Sequence, residues 1–345
     1  MSYLEQEISE QPSVLARLLA EEREQARGIA RAIQRHGPQF VMVAARGSSD
    51  HAATYGKYLL ANSCGLPVAL AAPSLYTMYR RPPRLRGSLV VGISQSGHSP
   101  DIVGVVAEGR RQGALTLAIT NNADSPLATA AECCLLCHAG EERSIAATKT
   151  YSAQLAALAL LAVALADDSR MWAELECLPE HVQRALALAS EVQQRVERYR
   201  YMESCVLIGR GYNYATALEI ALKLKELTYV VAEPYSSADF MHGPIAIIER
   251  GFPAIVVAPG GPVYSDVLAL ARDLRQREAE LVVISEQEEA LALAQTPFRL
   301  PGGVPEWLSP AVAVIPGQLF AAALTRTKGY DLDHPRGLRK VTRTT

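Results

Sequence analysis

The chain has 345 residues, of which 49% are hydrophobic and 20% are charged, and its formal net charge is −2. This composition is that of an ordinary globular protein, and the length suggests two domains. With a sequence pI of about 6.4, the chain lacks the global basic field that attracts nucleic acid or anionic membranes. Any bound anion must therefore be held by a local site.

Targeting signals are not evident in the sequence. Residues 1–7 have neither the basic start nor the apolar stretch of a secretory signal. The longest apolar run, 155–166, is shorter than the ~20 residues that a membrane span requires. We therefore expect a cytoplasmic protein with no membrane partner, and we interpret the run as a buried helix.

The six cysteines do not suggest a disulfide framework in a chain of this length. Cys134, Cys137 and His138 form a Cys-x-x-Cys-His pattern, which is typical of haem attachment or of a redox-active pair. However, 131–137 is expected to form a strand, and residues three apart on a strand point to opposite faces. A second cysteine pair for zinc is also missing. We interpret the cysteines as buried thiols and expect no metal and no cofactor.

The predicted elements begin with an N-terminal helical arm over 1–38, which is charged and broken at Pro12. Short β-rich runs then alternate with helical stretches. This alternation predicts a parallel sheet with helices on both faces. The expected strands are 40–45, 88–93 and 115–119, and the expected helices are 50–62, 100–112 and 146–166.

The pattern occurs twice. Arg46 and Arg210 each follow a predicted strand and precede a glycine, and they lie 164 positions apart. Arg86 and Arg250, also each before a glycine, keep the same offset of 164. A third pair of strands is related by an offset that is one residue larger. Such an offset predicts two copies of one α/β domain with a linker near 167–178. The predicted organisation is an arm (1–38), a first domain (39–170), a second domain (171–330) and a C-terminal tail (331–345).

The two copies differ after their second strand. The first has the hydroxyl-rich segment Ser94-Gln95-Ser96-Gly97-His98-Ser99, whereas the second has Val257-Ala258-Pro259-Gly260-Gly261. Ligands of open α/β sheets bind beyond the carboxyl ends of strands, where helix N-termini attract anions. Arg46-Gly47-Ser48-Ser49-Asp50 occupies the same place on the preceding strand. Either segment alone fits an ordinary capped turn, but the two together favour a phosphate site.

Candidate catalytic residues come from three further places. Lys223 and Glu226 lie three apart on a predicted helix and share a face, which also fits a solvated ion pair. His242 lies in a Gly-Pro turn, where a histidine is often unremarkable. Lys340 lies in a short polar tail, for which a frayed terminus is the simplest interpretation.

These segments together resemble the tandem sugar-isomerase (SIS) domain family, and in detail the isomerase half of glucosamine-6-phosphate synthase. The resemblance implies an α/β fold of two tandem, doubly wound, flavodoxin-like SIS domains. It is spread over nearly the full length of the chain. The segments that carry it are Ile93-Ser94-Gln95-Ser96-Gly97, Ala147-Thr148-Lys149, Ala221-Leu222-Lys223-Leu224-Lys225-Glu226, His242-Gly243-Pro244, and the tail with Asp333, Pro335, Arg336 and Lys340.

The resemblance implies a role for each candidate. Glu226 would move a proton between C1 and C2 of a sugar phosphate with the help of Lys223, and Lys340 would close the site. His242 would open the sugar ring from a second subunit, which implies a homodimer with a shared site. The implied substrate-binding residues are Gly47, Ser48, Ser49, Ser94, Gln95, Ser96, Ser99, Ile145 and Ala146.

Two departures guide the choice of reaction. His98 stands where the synthase has a glutamate, and Arg46 where it has a cysteine. The segments 46–52, 96–102, 139–142 and 337–342 more closely resemble SIS-type glucosamine-6-phosphate deaminases. We expect no glutaminase domain and predict conversion of glucosamine 6-phosphate to fructose 6-phosphate and ammonia. The alternatives are a fructosamine-6-phosphate deglycase, another SIS sugar-phosphate isomerase, or a sensing module without catalysis.

Overall fold

In the structure, a computed structural model that describes residues 2–340, two parallel five-stranded sheets carry helices on their faces. The first has the strand order β2-β1-β3-β4-β5 and the second the order β10-β9-β8-β6-β7. Both correspond to the flavodoxin-like order 2-1-3-4-5, which confirms the predicted fold class. The strands are β1 (Phe40–Ala44), β2 (Val68–Leu70), β3 (Ser88–Ser94), β4 (Leu115–Thr120), β5 (Cys133–Leu136), β6 (Ser204–Gly209), β7 (Val231–Ser236), β8 (Pro253–Val257), β9 (Glu280–Ser285) and β10 (Thr296–Arg299).

The α-helices of the described residues precede, connect and follow these strands. They are α1 (Tyr3–Ser9), α2 (Gln11–Glu21), α3 (Arg23–His36), α4 (Ser48–Cys64), α5 (Ser74–Thr77), α6 (Pro100–Arg111), α7 (Pro126–Ala130), α8 (Lys149–Ala166), α9 (Ser169–Glu176), α10 (Leu178–Leu186), α11 (Ala189–Val196), α12 (Tyr214–Thr228), α13 (Ser237–Met241), α14 (Tyr264–Gln276), α15 (Glu288–Leu291) and α16 (Ser309–Thr327).

The chain forms two compact units, one around each sheet. Of the described residues, the β1–β5 unit contains 13–142, 149–177 and 339–340. The β6–β10 unit contains 2–12, 143–148 and 178–338. The domain boundaries that we propose follow the sequence repeat. The compact units depart from these boundaries, because 2–12 and 143–148 belong to the β6–β10 unit and 339–340 to the β1–β5 unit. The expected linker, 167–178, contains helix α9.

Two local expectations need correction. The helix expected over 146–166 begins only at Lys149, because 143–148 is a loop that belongs to the β6–β10 unit. The N-terminal arm is not broken at Pro12, which lies in the first turn of α2. Proline is tolerated there because the first amide groups of a helix lack intrahelical acceptors. The interruptions fall instead at Glu10 and Glu22.

The central strands are largely buried because helices cover both faces of each sheet. All seven residues of β3 are buried, for example. In the β6–β10 unit, α12 packs closely on α16, and a Cβ added at Gly317 would lie 2.3 Å from Ile220 Cγ1. Glycine at 317 therefore allows the two helix backbones to approach each other. This contact fixes α12, which carries the predicted catalytic residues.

Within residues 2–340, two helical segments are long and apolar enough to cross a membrane by length and composition. They are Lys149–Ala166 and Glu306–Thr327, and 89% of each tested window is buried inside the protein. Such burial is typical of core helices. The expectation that 155–166 forms part of a buried helix is confirmed.

The cysteines are free thiols, and the Cys-x-x-Cys-His segment lies on and after strand β5. Burial raises the pKa of the Cys134 thiol to about 11 and raises that of Cys137 still further. Both thiols are therefore poor nucleophiles at neutral pH. The interpretation as buried thiols is wrong for Cys177, which is exposed at the end of α9.

Candidate active site

The predicted phosphate cradle, defined as Gly47, Ser48, Ser49, Ser94, Gln95, Ser96 and Ser99, lies in the β1–β5 unit where β1 and β3 end. These strands are neighbours, and Ala44 at the end of β1 pairs with Gly92 on β3. Helix α4 begins directly after Gly47, and helix α6 begins directly after Ser99. The fold thus gathers two sets of serine hydroxyls and two helix N-termini at one edge of the sheet, as the sequence predicts.

The loop between β3 and α6 takes its shape from Gly97. Its φ of 66° is left-handed, and an added Cβ would lie 2.2 Å from the Ser125 hydroxyl oxygen. Only glycine fits both conditions. The loop also turns its own serines inward, because Ser94 Oγ accepts from the amide of Gly97 (3.2 Å) and Ser96 Oγ accepts from that of His98 (3.2 Å).

Two side-chain contacts fasten the rest of the cradle. The buried Ser49 hydroxyl accepts a hydrogen bond of 3.0 Å from Gln154 Nε2 on α8. Arg46 Nε donates to Asp101 Oδ2 at 2.8 Å, and Asp101 is fully buried in the first turn of α6. Arg46 thereby ties the end of β1 to the helix that follows β3.

The corresponding loop of the second repeat is occupied by the protein's own carboxylates. The amide of Gly260 donates to Glu286 Oε1 at 2.7 Å, and a Cβ on Gly261 would lie 2.5 Å from the carboxyl carbon of Glu306. Burial raises the pKa of the Glu306 carboxyl. An anionic ligand at this loop would meet these acidic groups.

A buried glutamate connects the cradle to the C-terminal tail. Glu142 has a fully buried side chain, and its Oε2 accepts from Gln95 Nε2 at 3.0 Å and from Lys340 Nζ at 2.8 Å. Its Oε1 accepts from the amide of Thr150 in the first turn of α8, at 3.1 Å. The structure therefore brings Lys340 and Gln95 together within the β1–β5 unit. The last residues of the predicted tail, 341–345, lie outside the described residues.

The predicted catalytic pair lies on α12 of the β6–β10 unit. Lys223 Nζ donates to Glu226 Oε2 at 2.6 Å and lies 3.4 Å from Glu219 Oε1. The side chains of Lys223 and Glu219 are buried, with 1% and 0% exposed, whereas that of Glu226 is 22% exposed. The pair is therefore not the solvated surface pair that spacing alone would also allow. A buried ammonium is held between two carboxylates, of which one is open to a ligand.

His242 ends the short helix α13 in the same unit, and its side chain is exposed. The turn is shaped by Gly243, which has a φ of 136°. Ile145 and Ala146 lie in the loop 143–148, also in the β6–β10 unit. Glu7 of α1 fixes the start of this loop, because its carboxylate accepts from the amides of Arg143 and Ser144.

Sequence reasoning did not find Glu7, Glu142 or Glu219. Glu219 could have been found, since it lies four residues before Lys223 and shares its face of the helix. Glu142 lies in one of the deaminase-like segments, but no local pattern reveals its contact with Lys340, which is 198 residues away. Glu7 is likewise 136 residues from Arg143.

The family follows from comparison with known proteins. The SIS domain matches residues 39–164 and again 200–325. The chain belongs to the SIS domain family. Both matches fall on the flavodoxin-like sheets described above, and the predicted tandem repeat is confirmed.

Relatives with more than 30% identity carry the names of enzymes that act on sugar phosphates. A glutamine–fructose-6-phosphate aminotransferase (isomerizing) from Thermus thermophilus is 36% identical over 352 residues, which cover 98% of this chain and 58% of that protein. The SIS chain thus spans about 58% of the length of this relative. A crystal structure from Silicibacter pomeroyi, provisionally described as a phosphosugar isomerase, is 32% identical with a TM-score of 0.88, covering 96% of this chain and 100% of that one.

A glucosamine-6-phosphate deaminase from Thermotoga maritima has the same fold. Its TM-score is 0.81 and its identity is 20%, over 99% of this SIS chain and 100% of that chain. At this identity the likeness is one of fold alone. The two relatives above are more similar in sequence, so the family supports sugar isomerase chemistry in general rather than deamination in particular.

Proposed function

We propose that this SIS protein binds a phosphorylated amino sugar and converts glucosamine 6-phosphate to fructose 6-phosphate and ammonia. The observation that carries the proposal is the arrangement on α12, where the buried Lys223 ammonium holds the partly exposed Glu226 carboxylate at 2.6 Å. A carboxylate fixed in this way is a suitable general base for a C–H bond next to a carbonyl. No step requires electrons to be transferred to or from the sugar.

The cradle supports the phosphate assignment. Serine hydroxyls and helix N-termini at one edge of a parallel sheet bind phosphate without a metal. The half-buried Ser96 and Ser99 and the buried Ser94 line the loop after β3. In the second repeat, Glu286 and Glu306 take the equivalent place. We therefore assign the phosphate to the cradle of the first repeat.

The proposed reaction has three steps. His242 acts as the general acid and base that opens the pyranose ring, by moving a proton between the C1 hydroxyl and the ring oxygen. Glu226 then removes the proton from C2 of the open-chain amino aldehyde, and the resulting enolamine is reprotonated at C1. The product is the imine of fructose 6-phosphate, and addition of water to its C2=N bond releases ammonia and leaves the C2 carbonyl. Lys223 keeps Glu226 in place by donating to Oε2.

We further propose that the enzyme is a cytoplasmic homodimer in which His242 serves the site of the other subunit. Its exposed position on a short turn supports this assignment, because the side chain is accessible to a partner. Met241 and Ile247, on either side of the turn, are 52% and 47% exposed.

A panel of hexosamine 6-phosphates and fructosamine 6-phosphates tests the substrate. The proposal predicts equal amounts of ammonia and fructose 6-phosphate from glucosamine 6-phosphate, and neither product from the Glu226→Gln variant. Release of an amino acid from a fructosamine 6-phosphate would instead identify a deglycase. Binding of sugar phosphates without any turnover would identify a sensing module and contradict the proposal.

A further inference from the structure

Lys340 of the C-terminal tail is held by a side chain to which neither the sequence motifs nor the comparisons assign a role. We propose that Glu142 is the positioning residue of the tail: its carboxylate binds the Lys340 ammonium and joins it to Gln95 of the cradle. The inference rests on the proposed function only in taking Gln95 as part of the phosphate site. The contacts of Glu142 itself are independent of that function.

The two oxygens of Glu142 have different partners. Oε1 accepts from the backbone amide of Thr150, in the first turn of the 18-residue helix α8. A helix N-terminus attracts a carboxylate, so this contact fixes the position of Glu142. Oε2 is shared, since Gln95 donates to it at 3.0 Å and Lys340 at 2.8 Å. One fixed oxygen therefore contacts both the cradle and the tail.

The burial of Glu142 favours its contact with Lys340 of the tail. The side chain of Glu142 is fully buried, and that of Lys340 is 26% exposed. A buried carboxylate needs charged or hydrogen-bonding partners, because an unpaired charge away from water is strongly unfavourable. By contrast, the preceding Leu338 is 39% exposed and contributes little apolar burial. Lys340 is thus a main point at which the described end of the chain is attached.

The shared oxygen also couples the two contacts. Gln95 Nε2 has two N–H donors, so it can bind a phosphate and keep its contact with Glu142 Oε2. A phosphate bound in this way would restrain Gln95 and, through it, the oxygen that binds Lys340. The tail should therefore be held more firmly when the cradle is occupied. An ammonium has three donors, so binding to Glu142 is compatible with a contact between Lys340 and the sugar.

Hydrogen–deuterium exchange of the backbone amides in 337–340 tests this inference without a substrate. In Glu142→Gln, which keeps the shape but removes the charge, exchange should be at least about tenfold faster, as expected for loss of a charged hydrogen bond. Inorganic phosphate should slow exchange in the wild type but not in this variant. The matched control is Glu141→Gln, because Glu141 is the exposed neighbour, and it should exchange as the wild type does.

Equal exchange in Glu142→Gln and the wild type would overturn the inference, and an absence of any phosphate effect in the wild type would overturn the coupling. If Glu142→Gln fails to fold, Lys340→Gln tests the same contact and should show the same faster exchange. When Glu142→Gln and Lys340→Gln are combined, exchange should be no faster than in either single variant, because both changes remove the same contact. For kinetics, Glu142→Gln should lower kcat more than it raises KM. A wild type without turnover would refute the proposed function and leave the exchange result valid.

Discussion

Lys223 Nζ lies 2.6 Å from Glu226 Oε2 and 3.4 Å from Glu219 Oε1, so one buried ammonium contacts two carboxylates on the same face of α12. The two carboxylates differ in exposure, at 22% for Glu226 and 0% for Glu219. The open carboxylate can reach a substrate, whereas the buried one can act only on Lys223 and its surroundings. Glu219 and Glu226, seven residues apart in this helix, should therefore respond differently to the same substitution.

Glu226→Gln should lower kcat by at least about 10²–10⁴-fold, the range for a general acid–base residue, while sugar-phosphate binding is retained. The amide keeps the shape of the side chain but cannot accept a proton. Steady-state kinetics with glucosamine 6-phosphate, together with direct binding of the sugar phosphate, measures both quantities. The control is Glu180→Gln on α10, a residue that is 76% exposed. Near-normal turnover in Glu226→Gln would refute its role as proton carrier.

Glu219→Gln should act mainly on stability. The buried Lys223 loses one of its two carboxylates, and removal of a charged hydrogen-bond partner costs about 1–3 kcal/mol in the free energy of unfolding. Urea denaturation should show a larger loss for Glu219→Gln than for Glu226→Gln, whose side chain is partly in water. The reverse order of the two losses would show that the burial of Glu219 does not determine the stability of this cluster.

Ser96→Ala should raise KM for the phosphorylated substrate and leave kcat little changed. One hydrogen bond to a charged oxygen contributes about 1.5–3 kcal/mol, which corresponds to a rise in KM of about tenfold or more. Ser190→Ala on α11, an exposed position, is the matched control. Inorganic phosphate should compete with the substrate in the wild type. If it does not compete, the phosphate is bound elsewhere.

Mixed dimers test the shared site. At a substrate concentration well below the raised KM, His242→Ala and Ser96→Ala dimers should each be impaired. A dimer of one of each should then regain activity, because one of its two sites keeps both residues. Native mass spectrometry of the exchanged sample verifies the heterodimer. Verified heterodimers that show no gain over the parent dimers would indicate a site built within one chain.

The sequence predicts the three central strands of each sheet well, because buried parallel strands are short apolar runs and the repeat presents these three twice. The expected strand 40–45 is observed as Phe40–Ala44, and 88–93 as Ser88–Ser94. The end of a long helix is harder to predict. Residues 146–148 have small side chains that are compatible with a helix. They belong instead to a loop whose start is held by Glu7, from the N-terminal helix α1.

Separation along the chain also distinguishes the site residues that sequence reasoning finds from those it misses. Ser94, Ser96 and Gly97 are close in sequence, so their pattern is visible locally. Glu142 acts through contacts with Gln95 and Lys340, which are 47 and 198 residues away. No periodicity relates such distant positions, and only the folded chain brings them together.

The proposed reaction requires the enzyme to break the C2–H bond of the sugar. Glucosamine 6-phosphate that carries deuterium at C2 tests this claim most directly, with the products followed by NMR and the rate compared with that of the unlabelled substrate. We predict a slower reaction with the labelled substrate and fructose 6-phosphate whose deuterium is either at C1 or lost to water. An aldose phosphate product that still carries the deuterium at C2 would contradict this reaction, because the C2 carbonyl of fructose 6-phosphate bears no hydrogen.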